Sequence, residues 1–379
     1  MVIVFAGAIG RFPIGGQVWC ELQYLLGLGE LGHDVYFLED CGVGSWVYNW
    51  ETEETTTDLE YPTNYVRECL EPVGLGDRWI YRAGDYTLGM DLEEFQEVCA
   101  RADLLLVRSC TLPIWRPEYD LPRRRIFIDG DPGFAQFSLA NGDGDLVATI
   151  ARCERLFTIG QRIGTNDCPI PTLDREWGKT VFPVVLSHWH AANDGEAEYF
   201  TSIMQWQSYK DVTYDGVKYG NKASEFTKFI DLPGSTRQSF LVALSGGRPQ
   251  ELASYGWCVT EGWVASCTPQ AYQNFIQSSR AEFGVAKHGY VQTRGGWFGD
   301  RSICYLASGK PVLVQDTAQT DWLPTGEGLL TFRDRSEALN GIDRINADYD
   351  RHCRDARALA EEYFASDAVL SDLLEDAFT

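Results

Sequence analysis

RGGWFGDRSICYLASGKPVLVQDT, residues 294–317, is the stretch from which the rest of the chain can be read. Gly295, Gly296 and Gly299 surround an aromatic pair, Trp297 and Phe298. Asp300, Arg301 and Ser302 follow. Apolar residues then recur at helical spacing up to a Gly-Lys-Pro stop, which predicts a helix over 300–308. The run Val312-Leu313-Val314 predicts a buried strand. A helix start carries unpaired N–H groups and a partial positive charge, and glycines let a phosphate come close to them. Arg301 can add a fork of donors, with Ser302 beside it. Asp300 can cap the helix or accept from a ribose hydroxyl, and Trp297 and Phe298 can wall a ring. From this half alone two readings stand: a nucleotide diphosphate site, or a plain strand–turn–helix corner capped by Asp300.

The chain opens in the same way. Val2 to Ala6 is a continuous apolar run, the pattern of a buried parallel strand. A glycine-rich loop, GAIGRFPIGG, follows, and Val18, Leu22, Leu25 and Leu26 then recur at helical spacing. Gly32 stops that helix, and Val35 to Leu38 predict a strand ending in Glu39-Asp40, which completes a β-loop-α-β unit. Residues 42–64 are acidic and threonine-rich and read as a solvated excursion. A helix around Leu92–Cys99 and strands at Leu104–Val107, Arg125–Asp129 and 156–160 continue the alternation. Residues 180–190 read as the passage to a second unit. That unit restarts with a strand at 199–206, a helix capped by Thr268 and ending near Arg280, and a strand at Phe283–Ala286. An acidic helical tail closes the chain.

A chain of 379 residues is longer than one core usually serves. Its 32 basic and 55 acidic residues give a net charge of −23, which repels polyanions and argues against a nucleic-acid partner. The one compact basic run, Arg123-Arg124-Arg125, reads as a solvated strand edge. Eleven cysteines, odd in number and without a C-x-x-C pair, read as free thiols of a reducing, cytoplasmic compartment. Residues 1–8 form a strand pattern without the basic start of a signal peptide. No apolar run approaches the roughly 18 residues of a membrane span.

These segments resemble GT-B glycosyltransferases. The C-terminal likeness is carried by Trp297-Phe298-Gly299, by Ala307-Ser308-Gly309-Lys310-Pro311-Val312 and by Gly326-Glu327-Gly328-Leu329-Leu330. At the other end it is carried by Gly15-Gly16 before the first helix and by Leu31-Gly32-His33-Asp34-Val35. Both ends of the chain are covered and the middle is not. A group of bacterial glycosyltransferases sharing G-W-F-x-D-R-S and D-x-D-P-G patterns looks most similar. The resemblance implies an α/β fold of two Rossmann-like domains facing a cleft, over 1–185 and 186–355. It also implies a C-terminal helical tail, 356–379, that crosses back. The second domain would bind a nucleotide diphosphate sugar such as a UDP-sugar, and the first would present a small-molecule or protein acceptor. No metal or other cofactor is implied, because the helix start and basic side chains would meet the diphosphate. There is one departure. Many retaining members carry a pair of glutamates around this helix, and the matching positions here are Gly296 and Cys304.

Candidate residues follow. Lys287 and His288 come after a strand near the expected phosphate, whereas Lys222 reads as a solvated surface charge. Arg11, Gly15 and Gly16 lie on the first glycine loop and join the donor-binding set. Asp129 and Asp131 follow an apolar strand at its C-terminal end, where α/β sheets bind ligands, and one of them would be the general base. The bland alternative makes Asp129 a loop cap and Asp131 part of an Asp-Pro turn. His188 and His190 share a strand face as metal ligands can, but no third ligand accompanies them. Glu39-Asp40 resembles the acid that holds a ribose in dinucleotide-binding folds, but GAIGRFPIGG lacks the tight G-x-G-x-x-G. Two other functions fit the same features: a nucleotide-sugar 2-epimerase, or a non-catalytic nucleotide- or sugar-binding module.

Overall fold

The computed structural model describes residues 1–49, 52, 54–109, 112–191, 197–207 and 211–379. The first half runs β1 (Val2–Ala6), α1 (Gly15–Glu30), β2 (Asp34–Asp40), β3 (Val47–Asn49), β4 (Glu54–Thr56), α2 (Glu60–Leu70), β5 (Trp79–Ala83) and β6 (Tyr86–Gly89). It continues through α3 (Leu92–Arg101), β7 (Leu104–Arg108), β8 (Arg124–Asp129), α4 (Phe134–Ala140), α5 (Gly144–Ile150), β9 (Arg155–Thr158) and β10 (Gly178–Lys179). These make an eight-stranded sheet in the order β10-β9-β8-β7-β1-β2-β5-β6. It is parallel except for the edge pair β5–β6. Strands covered on both faces need apolar side chains on both, which is why β7 throughout and β1 from Ile3 to Ala6 are buried runs rather than alternating ones.

The second half runs β11 (Tyr199–Gln205), β12 (Val212–Tyr214), β13 (Val217–Tyr219), α6 (Lys222–Phe226), β14 (Ser239–Ser245), α7 (Pro249–Ser254), β15 (Cys258–Glu261), α8 (Gly262–Ser266) and α9 (Pro269–Gln277). Then come β16 (Ala281–Gly284), α10 (His288–Thr293), α11 (Asp300–Ala307), β17 (Val312–Gln315), β18 (Leu329–Phe332), α12 (Arg335–Ala347), α13 (Tyr349–Tyr363) and α14 (Ser366–Phe378). Its six-stranded parallel sheet has the order β15-β14-β11-β16-β17-β18. Both sheets therefore start in the middle, build outward one way and then restart on the other side, the Rossmann order. Each has a topological switch point, between β1 and β7 in the first half and between β11 and β16 in the second, and crevices there take ligands.

Several boundaries differ from the sequence reading. Residues 42–64 are not only loop: they contain the β3–β4 hairpin and the first turn of α2, with residues 50, 51 and 53 outside those described. The strand expected at 283–286 is Ala281–Gly284, because the Ala286 N–H leaves the ladder to bond Gln315 Oε1 at 3.2 Å. The hairpins β5–β6 and β12–β13 are too short to leave a period in the sequence. The helical tail breaks at Phe364–Ala365, between α13 and α14. Helix α13 packs on α11 of the second half, while α14 packs on α1 of the first. Gly27 makes that crossing possible, since a Cβ there would lie 2.6 Å from Leu370. Where the chain crosses back it pairs with the outgoing segment. The Val184 N–H donates to the Phe364 carbonyl at 2.7 Å, and the Ser366 N–H donates to the Val184 carbonyl at 3.0 Å.

Every described cysteine is a free thiol. Among the described residues, no helix is long and apolar enough to cross a membrane, and no cluster of three or more His, Cys, Asp or Glu could hold a metal ion.

Candidate active site

The second half's switch point is built first by Glu282. It sits on β16 with no exposed surface, an acid inside an apolar strand. Burying it demands a partner, and Arg301 from the first turn of α11 provides one, with Nε 2.8 Å from Glu282 Oε1. The same guanidinium donates from Nη1 to the Ile203 carbonyl of β11 at 2.7 Å. Arg301 thus spans the crevice between β11 and β16. Asp300 precedes it at the start of α11, and burial pushes its carboxyl above the ordinary range while Arg301 and Arg108 pull it back. Lys222, at the start of α6, completes the group. Burial drives its ammonium well below the usual lysine value, Arg301 and Lys287 add to that, and Glu282 and Asp300 oppose it. The sequence reads Lys222 as a solvated charge; in the structure its ammonium feels these cleft groups.

The first half repeats the arrangement. Arg108 ends β7 and pairs through Nη2 with Glu21 of α1 at 2.7 Å, both buried. Glu21 also accepts from the Ala8 N–H at 3.1 Å and from Gln17 at 2.7 Å. Glu39 and Asp40, which resembled a ribose-binding acid, are both fully buried and engaged. Glu39 accepts the N–H groups of Ile9, Gly10 and Arg11 at 2.9, 2.8 and 2.7 Å. Asp40 accepts from Arg116 Nε and the Tyr119 hydroxyl, each at 2.6 Å. The first glycine loop therefore spends these amides on an internal carboxylate, and the dinucleotide reading fails here.

The cleft is closed by contacts through β8 and α4. Asp129 is fully buried, accepting from Gln136 Nε2 and the Thr158 hydroxyl, each at 2.8 Å, and from the Asp131 N–H at 2.9 Å. Burial raises its carboxyl to about 6, against those three donors. Its geometry is that of a loop anchor. Asp131, two residues on, reaches across the cleft. Lys287 Nζ lies 3.2 Å from its Oδ2, and the Tyr290 hydroxyl donates to its Oδ1. Lys287 also lies over the Phe134 ring, 5.2 Å from its centroid. Further along α4, Phe137 stacks on Tyr219 and Tyr214 of the β12–β13 hairpin, with centroids 4.2 and 5.1 Å apart.

The remaining candidates divide. Gly299 caps α11, and Ser302 is buried in its first turn. Trp297 stacks on Tyr290 with centroids 4.2 Å apart, whereas Phe298 is buried against Phe364. Gly295 and Gly296 meet Arg162 of the first half: the Arg162 N–H donates to the Gly295 carbonyl at 3.0 Å, and a Cβ on Gly296 would lie 3.1 Å from Arg162 Cγ. Gly15 and Gly16 permit α1 to touch α9, where added Cβ atoms would lie 2.2 Å from the Thr268 carbonyl oxygen and 2.9 Å from the Tyr272 ring. Arg11 stacks over Phe12 at 5.5 Å. His288 accepts from the Gly220 N–H at 3.3 Å and lines a cavity of about 370 Å³ beside the hairpin. His188 packs against Trp19. Sequence reasoning missed Glu282, Arg108 and Glu21. Glu282 left a signal, a lone acid in the apolar segment before Lys287.

No protein-family model and no curated protein matches the sequence. Solved structures do match over the whole chain. An alpha-glucosyltransferase in complex with UDP is similar at a TM-score of 0.63 and 11% identity, over 100% of this chain and 99% of that one. An alpha-glucosyltransferase in complex with UDP and a 13-mer DNA gives 0.61 and 11%, over 100% and 99%. Sucrose-phosphate synthase from Thermosynechococcus elongatus gives 0.54 and 12%, over 99% and 98%. With two Rossmann-ordered sheets, a cleft between their switch points and a last helix returned to the first half, this chain has the GT-B fold of those glycosyltransferases.

Proposed function

We propose that the cleft transfers a sugar from a nucleoside diphosphate sugar to an acceptor hydroxyl, without a metal ion. One observation carries the reading: Arg301 in the first turn of α11 and Lys287 just before α10 stand by the second half's switch point, with Lys222 influenced by both, on a GT-B fold. Cations and helix N–H groups in a shielded crevice stabilise a departing diphosphate. In the proposed step the acceptor oxygen bonds to the anomeric carbon and its proton passes to Asp131. The bond from that carbon to the diphosphate breaks, and the electron pair leaves on the phosphate oxygen. Asp129 holds the loop that carries Asp131. UDP is the first donor nucleotide to try, since the similar alpha-glucosyltransferases are complexes with UDP. The acceptor is taken to be a small molecule or a protein, because a net charge of −23 repels a polyanion. The free thiols suit a reducing, cytoplasmic compartment.

The test is calorimetry with UDP, GDP and ADP and their glucose conjugates, with chelator present, on the native protein and on Arg301→Ala. Binding of one nucleotide that the substitution abolishes supports the donor site. Absence of binding by all of them rejects it. The missing carboxylates at Gly296 and Cys304 favour a second reading, a binding module that holds the donor without turning it over. Sugar release or transfer by the native protein would exclude that reading.

A further inference from the structure

Two of the cleft's own cations are already engaged by carboxylates. Arg301 is paired with Glu282 and Lys287 with Asp131. A diphosphate brings in further negative charge, so its arrival requires an anion to leave or a proton to enter. Glu282 cannot leave, being fully buried and bonded to Arg301. Asp300 is fixed at the start of α11. Asp131 differs from both. It comes from the opposite half, its side chain is 31% exposed, and its contacts with Lys287 and Tyr290 cross the cleft. Its backbone stays anchored, since its N–H is held by Asp129 and its carbonyl by the Ala135 N–H at 3.2 Å. Release of the carboxylate therefore needs a side-chain rotation and no refolding of the loop.

We propose that Asp131 is an internal stand-in for the donor's phosphate: it holds Lys287 before the donor arrives and is displaced when a diphosphate takes that lysine. The inference rests on the donor-site reading given above. Its consequence is an order of events. Until the donor binds, the carboxylate is occupied by Lys287 and Tyr290; afterwards it turns to face an acceptor hydroxyl. Donor binding thus arms the base, and an acceptor arriving first meets a carboxylate already engaged.

The experiment is titration of the native protein, Asp131→Asn and Tyr290→Phe with UDP at low and moderate salt. Losing a competing, partly exposed ion pair tightens UDP by roughly two- to fivefold in Asp131→Asn. Tyr290→Phe removes one bond of the clasp without changing any charge and keeps the ring stacked on Trp297, so tightening there reads the clasp and not the field. Unchanged or weaker UDP binding in both variants, with the native protein binding normally, overturns this proposal and leaves the donor site standing. If Asp131→Asn does not fold, Tyr290→Phe decides alone. Failure of the native protein to bind UDP, GDP or ADP overturns both.

Discussion

Arg108 and Arg301 mirror each other with the elements exchanged: Arg108 ends strand β7 and pairs with Glu21 of helix α1, and Arg301 lies on helix α11 and pairs with Glu282 of strand β16. Each is paired with a buried glutamate beside the switch point of its sheet, Glu21 at 2.7 Å by β1 and β7 and Glu282 at 2.8 Å by β11 and β16. The two arginines face one another through Asp300, whose carboxyl feels both. Desolvated pairs of this kind contribute little net stability but are costly to break on one side. Arg108→Met leaves Glu21 buried without its cation and is expected to lower the unfolding free energy by about 3–5 kcal/mol in a urea titration. Arg108→Met with Glu21→Leu is expected to recover much of that loss. A single variant as stable as the double would show that the pair is not coupled.

Arg301→Lys keeps the charge and loses the fork. A lysine cannot bond Glu282 and the Ile203 carbonyl in one plane while presenting a donor to the cleft. UDP binding is expected to weaken roughly ten- to hundredfold, the worth of one or two charge-assisted bonds. Calorimetry checks it, and an affinity close to native would remove Arg301 from the donor site.

Lys222 predicts proton uptake. Burial, with Arg301 and Lys287 beside it, depresses its pKa in the protein without donor, so the folded, unliganded state binds fewer protons than an ordinary lysine would. A diphosphate restores the charged form. Between the depressed value and the ordinary 10.5, UDP binding is expected to take up a proton. Binding enthalpies measured at mildly alkaline pH in buffers of different ionisation enthalpy should differ accordingly. Lys222→Met should abolish the difference.

Asp129 sets a dependence of stability on pH. Its carboxyl moves from 3.8 to about 6 on folding, mainly through burial. A raised carboxyl favours the protonated folded state. Its contribution is intact below about pH 4 and is lost as pH rises through 6, by about 3 kcal/mol. Thermal melts between those limits should show a falling term in the native protein that is missing from Asp129→Asn. Parallel curves would contradict the assignment.

Gly15 is expected to control closure. A methyl at this position would lie 2.2 Å from the Thr268 carbonyl oxygen, so Gly15→Ala pushes α1 from α9. Small-angle scattering should show a larger radius of gyration. Gly29→Ala, on the same helix with nothing within 4 Å, should leave the radius unchanged and add roughly 0.5–1 kcal/mol of stability.

The strands most readily read in the sequence were those with apolar faces on both sides. Val2–Ala6, Leu104–Arg108 and Val312–Gln315 are continuous runs because parallel strands are covered above and below. The turn before α11 was equally legible, because clustered glycines directly ahead of a helical period mark a tight entry into a helix. Lys222 was not. The groups that act on it, Arg301, Glu282, Lys287 and Asp300, lie far away along the chain. The roles of Asp129 and Asp131 were named but not divided, since two residues of spacing do not reveal that one carboxylate turns inward to Thr158 and the other outward to Lys287. The sequence pattern of Gly15 and Gly16 suits a phosphate, but they face Thr268 and Tyr272, because glycine admits a helix as readily as it admits a ligand.

The outgoing segment at Val184 and the returning one at Phe364–Ser366 are hydrogen-bonded to each other. A twist between the halves at this crossing would have to break both bonds. One nick in either segment would leave the other as a tether. Loss of alignment, and not loss of attachment, would be the first consequence of cutting there.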